Sequence, residues 1–439
     1  MNDDEPGIYH CCTQVVQQQW LFGYDALTGR DYGYRKEWIE EEFRRVARFM
    51  SIDILDYAAM VNHLHVMVNT RPDVSRKMSD REVAVRWCYL CRSSGLSREE
   101  RNQRRRRPPR PTEKQVQTLL NDHLKLADCR HRLSSLSWMM RLVCQSIARR
   151  ANKEAGTRGK FFASRFKSQQ IEDEAGLLAC SMYINMNPIR AGVVSDPEHA
   201  AHTSNYLRIL SMVRSQADGN SGLRDMVVDP RNPDCWLAPV FLDPSAAAYQ
   251  SVDDLDLVPV DYAPELSAQE LLEANSGSDQ NGVAVAEELA ASEGHAASDG
   301  DGDLDAQDEV LSGAAGMAIR GPMFRGQLLV AEVFGPRLTN RGYLPISVDE
   351  YVNLAKWTAE QLLQSSPAKE SSASAVVLDK VGLDAVSWPK TISLIGKCFS
   401  TSVGCADSLD RRAVQRGLKR LKGRNAALTA FRSGQAVAS

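Results

Sequence analysis

The chain has 439 residues, too many for one ordinary hydrophobic core, so two domains joined by linkers are expected. Its 43% hydrophobic and 25% charged residues match a water-soluble globular protein, and the lack of any apolar run of about 18 residues argues against a membrane span. The acidic start MNDDEPGIYH has no apolar core for a secretory signal, ten cysteines are too sparse for a disulfide scaffold, and a net charge of −3 gives no hint of how unevenly charge is distributed; a cytoplasmic chain with reduced thiols is expected.

In chain order, residues 9–16 (YHCCTQVV) read as a short strand. Residues 38–50 (WIEEEFRRVARFM) read as an amphipathic helix, because Trp38, Ile39, Phe43, Val46 and Phe49 recur at helical spacing. Two strands, 52–61 and 65–68, flank a sharp corner at Asn62-His63, and a helix is expected over 80–91. From Arg76 to Gln170 there are 24 Lys and Arg against 8 Asp and Glu, the footprint of a nucleic-acid binder or of a solvated face. Within that block RNQRRRRPPRP, which contains Arg104, Arg105, Arg106 and Arg107, is expected to be an exposed loop, since proline and like-charge repulsion oppose regular structure. A long helix is predicted over 133–154, an extended segment over 161–168 and a helix over 171–187, stopped because the residue before Pro188 disfavours helical geometry.

Strands and helices in this order suit an α+β fold, with an antiparallel sheet and helices packed over it. The pattern fades after about residue 215. Between residues 251 and 319 there are 17 acidic residues and no Lys or Arg, a composition that predicts disorder. Residues 321–439 are expected to form a small, mostly helical C-terminal region, with helices over 347–364, 388–399 and 410–421; Ser347 and Glu350 form a capping box at the start of the first. The expected organisation is therefore 1–215, then a linker over 216–320, then 321–439.

Three motifs can carry chemistry. In Asn62-His63-Leu64-His65-Val66, a strand places His63 and His65 on one face, where two imidazoles can share a divalent metal; two ordinary strand histidines would give the same pattern. In Tyr183-Ile184-Asn185-Met186-Asn187-Pro188, Tyr183 and Asn187 are one helical turn apart, so a phenol nucleophile and an amide ligand can sit together; equally, Tyr183 can be a half-buried helix residue and Asn187 a helix end. In GKFFASRFKSQQ, Phe161, Phe162 and Phe166 can stack on bases while Lys160, Arg165 and Lys167 meet phosphates, or the stretch is a core strand with solvated cations.

Taken together, YHCCTQVVQQQWLFG, MVNHLHVMV, NKEAGTRGKFFASRFKS and YINMNPIRAGVV resemble the HUH single-tyrosine transposases, especially the REP-associated tyrosine transposases, in the family's order and at roughly its spacing. The resemblance covers about residues 8 to 210. It implies a ferredoxin-like antiparallel sheet with the histidine pair on a central strand, a divalent metal (Mg2+ or Mn2+) held by His63, His65 and Asn187, and Tyr183 as the nucleophile. It further implies a 5′-phosphotyrosine intermediate on single-stranded or hairpin DNA, and a monomer or homodimer. Val61 stands where proline is common in the family, and the insertion around residues 91–134 is longer than usual.

Two other readings compete. Cys88-x-x-Cys91 with Cys129-x-His131 has the ligand types of a structural zinc site. A DNA-binding regulator on a retired transposase fold, or an RNA-processing factor, would keep the basic surface without turnover.

Overall fold

The computed structural model describes residues 4–26, 28–91, 111–217, 231–241, 334–340, 342–363 and 372–431. The basic loop with Arg104, Arg105, Arg106 and Arg107 and the acidic 251–319 stretch lie outside them.

The fold is α+β. Alternation of apolar residues makes three long strands: β1 (Gly7–Gln14), β4 (Ile52–Ala59) and β5 (His63–Thr70), with a small hairpin of β2 (Tyr24–Asp25) and β3 (Arg30–Asp31) between the first two. With β6 (Lys167–Ile171) and β7 (Ser402–Val403) the main sheet runs β4-β5-β1-β6-β7. All neighbours are antiparallel except β6 and β7, which are parallel. β5 therefore lies inside the sheet, flanked by β4 and β1. The register pairs Cys12 with both His65 and Lys167, and His10 with Gln169.

One face of the sheet packs under α1 (Arg35–Phe49), α3 (Asp80–Leu90) and α6 (Leu136–Ala155), around Phe43, Tyr57, Leu64, Val66 and Met139. The expected helices over 38–50, 80–91 and 133–154 are these three. The stretch before α6 contributes α4 (Glu113–Leu120) and α5 (His123–Ser134), each started by a capping side chain, Thr112 and Asp122 respectively. Short α2 (Pro72–Lys77) follows β5.

The opposite face packs under α7 (Glu174–Asn185), which carries Tyr183. After α7 come the four-residue α8 (Asn187–Arg190) and then α9 (Ser204–Ala217). Pro188 does not follow the last helical residue but opens α8, where a missing N–H costs nothing; the break falls at Met186.

The C-terminal elements share this second core: α10 (Val348–Leu363), α11 (Ser372–Asp379), α12 (Trp388–Cys398), α13 (Ala406–Gln415) and α14 (Arg424–Ala430). Leu55, Met67 and Leu178 pack in one cluster with Tyr351, Trp388 and Ile395. The expected capping box of α10 is present: the Ser347 amide donates to Glu350 at 2.9 Å and the Glu350 amide to Ser347 Oγ at 3.2 Å. Thus residues 334–431, set apart in sequence as a C-terminal region, add a strand to the sheet and helices over α7. None of the described helices is long and apolar enough to cross a membrane.

A buried polar network bolts these parts together. The Asp56 carboxylate, fully buried beside a β-bulge in β4, accepts from Arg208 and Ser204 of α9 (2.6 Å each), from Ser181 and Asn185 of α7 (2.6 and 3.0 Å), and from the Tyr343 hydroxyl (3.0 Å). So many donors satisfy the lone pairs that burial strips of water.

Candidate functional site

Side chains on β5 alternate, so Leu64, Val66 and Val68 enter the first core while His63, His65 and Met67 face α7. The His63 and His65 rings lie edge to face with centroids 4.9 Å apart. Tyr183 reaches down from α7, its ring edge-on to His65 at 5.6 Å and to His10 of β1 at 5.9 Å. His10 stacks on His65 at 5.1 Å, and a 2.9 Å hydrogen bond joins His10 Nε2 to His65 Nδ1. On its other side His10 Nδ1 meets Gln169 Oε1 at 3.0 Å, while Gln169 Nε2 donates to the Phe399 carbonyl at 2.8 Å. Sequence reasoning assigned no role to His10 or Gln169. His10 had a signal, since it lies on the same face of its strand as Cys12, but its partners come from distant segments.

Electrostatics keeps the imidazoles neutral. Burial pushes His10 down to about 4 and His65 well below the ordinary value, the latter helped by the repulsion a second proton would meet from His10, His63 and Arg190; burial also lowers His63. Neutral imidazole is the form that ligates metals. At His63 the free nitrogen can be identified. Asn62 Nδ2 donates to the Gln18 carbonyl, which turns its Oδ1 toward His63 Nδ1 at 2.7 Å; Nδ1 therefore carries the hydrogen and Nε2 the lone pair.

Among the described residues no group of three or more His, Cys, Asp and Glu is arranged to hold a metal. The alternative zinc reading of Cys88, Cys91, Cys129 and His131 therefore finds no gathered ligand set among the described residues. Burial, with Cys91 nearby, pushes the Cys88 thiol up to about 12, and Cys129 is fully buried. A divalent ion at His63 and His65 fits only if other oxygen ligands complete it. On α8, the Asn187 Nδ2 donates to the Tyr183 carbonyl at 2.7 Å, which leaves its Oδ1 as the acceptor end.

Burial raises the Tyr183 phenol, opposed by the Arg190 guanidinium, which lies 5.0 Å from the ring centre; Cys12 and Cys180 raise it further. The phenol is thus not activated by its protein surroundings alone. Its hydroxyl abuts Gly396 of α12, where an added Cβ would collide with the hydroxyl and the ring. Gly396→Ala should therefore displace the ring from the histidines. A shift of about 1 Å in a reacting group costs on the order of 100-fold in rate, so any Tyr183-dependent reaction should fall at least about tenfold, measured beside wild type with Tm as the folding control.

Of the residues expected to meet DNA, Lys160, Arg165 and Lys167 are exposed. Lys167, Cys12 and His65 form a row across three strands, so Lys167 stands on the site's own face roughly 10 Å from His65. Phe162 is half-buried. It bridges to Val15, packs partly on the first core, and lies against Phe161 at 5.0 Å and Phe22 at 6.5 Å. Its neighbour Phe161 is buried because β1 needs an apolar cover at that end.

No protein-family model matches the chain, and no curated protein matches it either. Among solved structures, a REP-associated tyrosine transposase bound to a REP hairpin aligns with 48% of this chain and 81% of its own, at 11% identity and a TM-score of 0.25. A likeness that slight decides neither fold nor function.

Proposed function

We propose that this chain is a single-tyrosine, metal-assisted DNA strand-transfer enzyme of the HUH transposase type, acting on single-stranded or hairpin DNA. The observation that carries the reading is the meeting of Tyr183 with His65, ring to ring and with His63 against the other edge of that pair, on one sheet face and from elements more than a hundred residues apart. Each of the four sequence motifs that resemble the family contributes to that face: His10 and Cys12, His63 and His65, Lys167, and Tyr183.

A divalent ion, when bound, would polarise a phosphate oxygen and offset the charge that repels an incoming phenolate. His63 and His65 would hold it through neutral imidazoles, with the Asn187 amide oxygen as a third protein ligand. Tyr183 Oη gives its proton to water and attacks phosphorus, forming a phosphotyrosine bond as the bond to the 3′-oxygen breaks; that oxygen leaves as a 3′-hydroxyl after taking a proton from water. A second 3′-hydroxyl reverses the step and rejoins the strand, so no external energy source is needed. Arg190 sits over the Tyr183 ring, where its charge favours the phenolate. Exposed Lys160, Arg165 and Lys167 would hold the DNA backbone, and their contribution would weaken with salt.

The test is a cleavage assay on 5′- and 3′-labelled hairpin DNA with Mn2+, resolved on denaturing gels. The expected result is a covalent protein–DNA band that EDTA prevents and His63→Ala abolishes. Salt-sensitive binding with no band, on hairpins drawn from the flanks of the protein's own gene, would overturn the enzyme reading in favour of a DNA-binding regulator.

A further inference from the structure

We propose that His10 is a positioning residue that fixes His65 in the tautomer with its Nε2 lone pair open, and that this tautomer is dictated from the C-terminal segment through Gln169 and the Phe399 carbonyl. The use of that lone pair rests on the metal-assisted reading above; the tautomer itself does not.

Each link of the chain can run in only one direction. The Phe399 carbonyl is an acceptor and nothing else, so the Gln169 group 2.8 Å from it is the amide N–H. That contact fixes the amide's orientation and aims Oε1 at His10 Nδ1, 3.0 Å away. An amide oxygen also only accepts, so Nδ1 of His10 carries a hydrogen. His10 is 5% exposed, and its two ring nitrogens face only the uncharged Gln169 Oε1 and His65 Nδ1; with its one hydrogen on Nδ1, its Nε2 is a bare lone pair. Its partner at 2.9 Å, His65 Nδ1, must then be the donor. With the His65 proton on Nδ1 and the ring itself neutral, Nε2 of His65 is left as an unprotonated ligand nitrogen.

The opposite relay, with the His65 Nε2 protonated, would close the nitrogen to a metal. It would require His10 to present a lone pair at Nδ1 to an oxygen lone pair of Gln169, or the glutamine to flip its N–H onto His10 and leave two oxygens facing each other at Phe399. Both arrangements place acceptor against acceptor at hydrogen-bond distance in a half-buried site. The two histidines of the pair thus receive the same tautomer by different routes. His63 takes its own from the adjacent Asn62, anchored on Gln18, whereas His65 takes its from a segment 230 residues beyond Gln169. Groups that orient a ligating imidazole in this way typically change metal affinity by about 10- to 100-fold when removed.

The full-length protein, labelled with 15N-histidine and freed of metal, would be studied by two-bond 1H–15N correlation, with His65 assigned from the signal lost in His65→Gln. The expected wild-type spectrum shows His65 and His10 both protonated at Nδ1. Mn2+ affinity, followed by EPR and limited to the uptake that His63→Ala abolishes, should fall about 10- to 100-fold in His10→Phe, which keeps a ring but removes the acceptor. Gln169→Met, at a half-buried position, breaks the relay one link further out and should weaken Mn2+ in the same direction if His10→Phe fails to fold. His10→Gln, which can return an amide oxygen near the Nε2 position, should restore the His65 tautomer and the affinity. A metal-free wild type with His65 protonated at Nε2, or unchanged Mn2+ affinity in folded His10→Phe and Gln169→Met, would overturn the relay alone. Wild type with the expected tautomer but no Mn2+ uptake would instead overturn the metal reading, and the positioning role with it.

Discussion

Tyr183→Phe should abolish the covalent DNA adduct and reduce strand cleavage by roughly 10^4-fold or more, the scale seen when a covalent nucleophile is deleted. The protein itself should hardly notice. The phenyl ring keeps its contacts with His10, His65 and Arg190; the lost hydroxyl lies against the small residue Gly396 and gives up one hydrogen bond with Arg190, a cost of about 1 kcal/mol. Nearby Cys12 offers no substitute nucleophile, because burial pushes its thiol up to about 11 despite Lys167, and a protonated thiol attacks poorly. The informative measurement is adduct formation by denaturing gel beside Tm and salt-dependent DNA binding. Loss of adduct with the other two unchanged assigns the chemistry to Tyr183. An adduct that persists removes Tyr183 from the role.

Arg208→Met should be the most damaging substitution for stability. Arg208 is 1% exposed and Asp56 not at all, and the two are joined at 2.6 Å. Methionine fills much of the stem volume but leaves a buried carboxylate without its counter-charge, a loss of about 3–5 kcal/mol. For a fold of this size that lowers Tm by roughly 10 °C. The remaining donors, Ser181, Asn185, Ser204 and Tyr343, soften the loss without supplying charge. Pairing Arg208→Met with Asp56→Asn should recover part of it, because the amide oxygen keeps Asn185 and Ser204 as donors while its N–H2 faces the Ser181 and Tyr343 hydroxyls, which can accept, all at lower desolvation cost. A single variant as stable as wild type would show that the ion pair is not what holds α7 and α9 to β4. Ser181 and Asn185 flank Tyr183 on α7, so the destabilised variant should also lose adduct formation disproportionately.

Much of the frame was legible because it depends on local pattern. The stripe of Trp38, Ile39, Phe43 and Val46 gave α1, alternation gave β1, β4 and β5, and the His63-Leu64-His65 spacing put both imidazoles on one face. What escaped was non-local. Two residues, Ser402 and Val403, are too short a run to announce a strand, and they pair with β6 only because α12 and α13 bring them there. Asp56 looked like an ordinary polar residue in a strand; its partners are spread from Ser181 to Tyr343. Phe162 sits in a stretch whose composition suits base stacking, and composition alone does not show that Phe161 and Phe22 lie against its ring. His10 was visible as a residue but not as a relay, since Gln169 and Phe399 complete it from distant parts of the chain.

The place of Phe399 and Gly396 in the site also gives it a history in time. A ribosome adds residues at about 5–20 per second, so the 230 positions that separate Gln169 from Phe399 occupy roughly 10–50 s of synthesis. Through that interval the nascent chain already contains both histidines and Tyr183, while α7 lacks the helix that packs over it and Gln169 lacks its anchor. The apolar side of α7 is then without the cover that the C-terminal helices give it. Synthesis and competence are thereby separated: the tyrosine exists well before the surroundings that would set it to work.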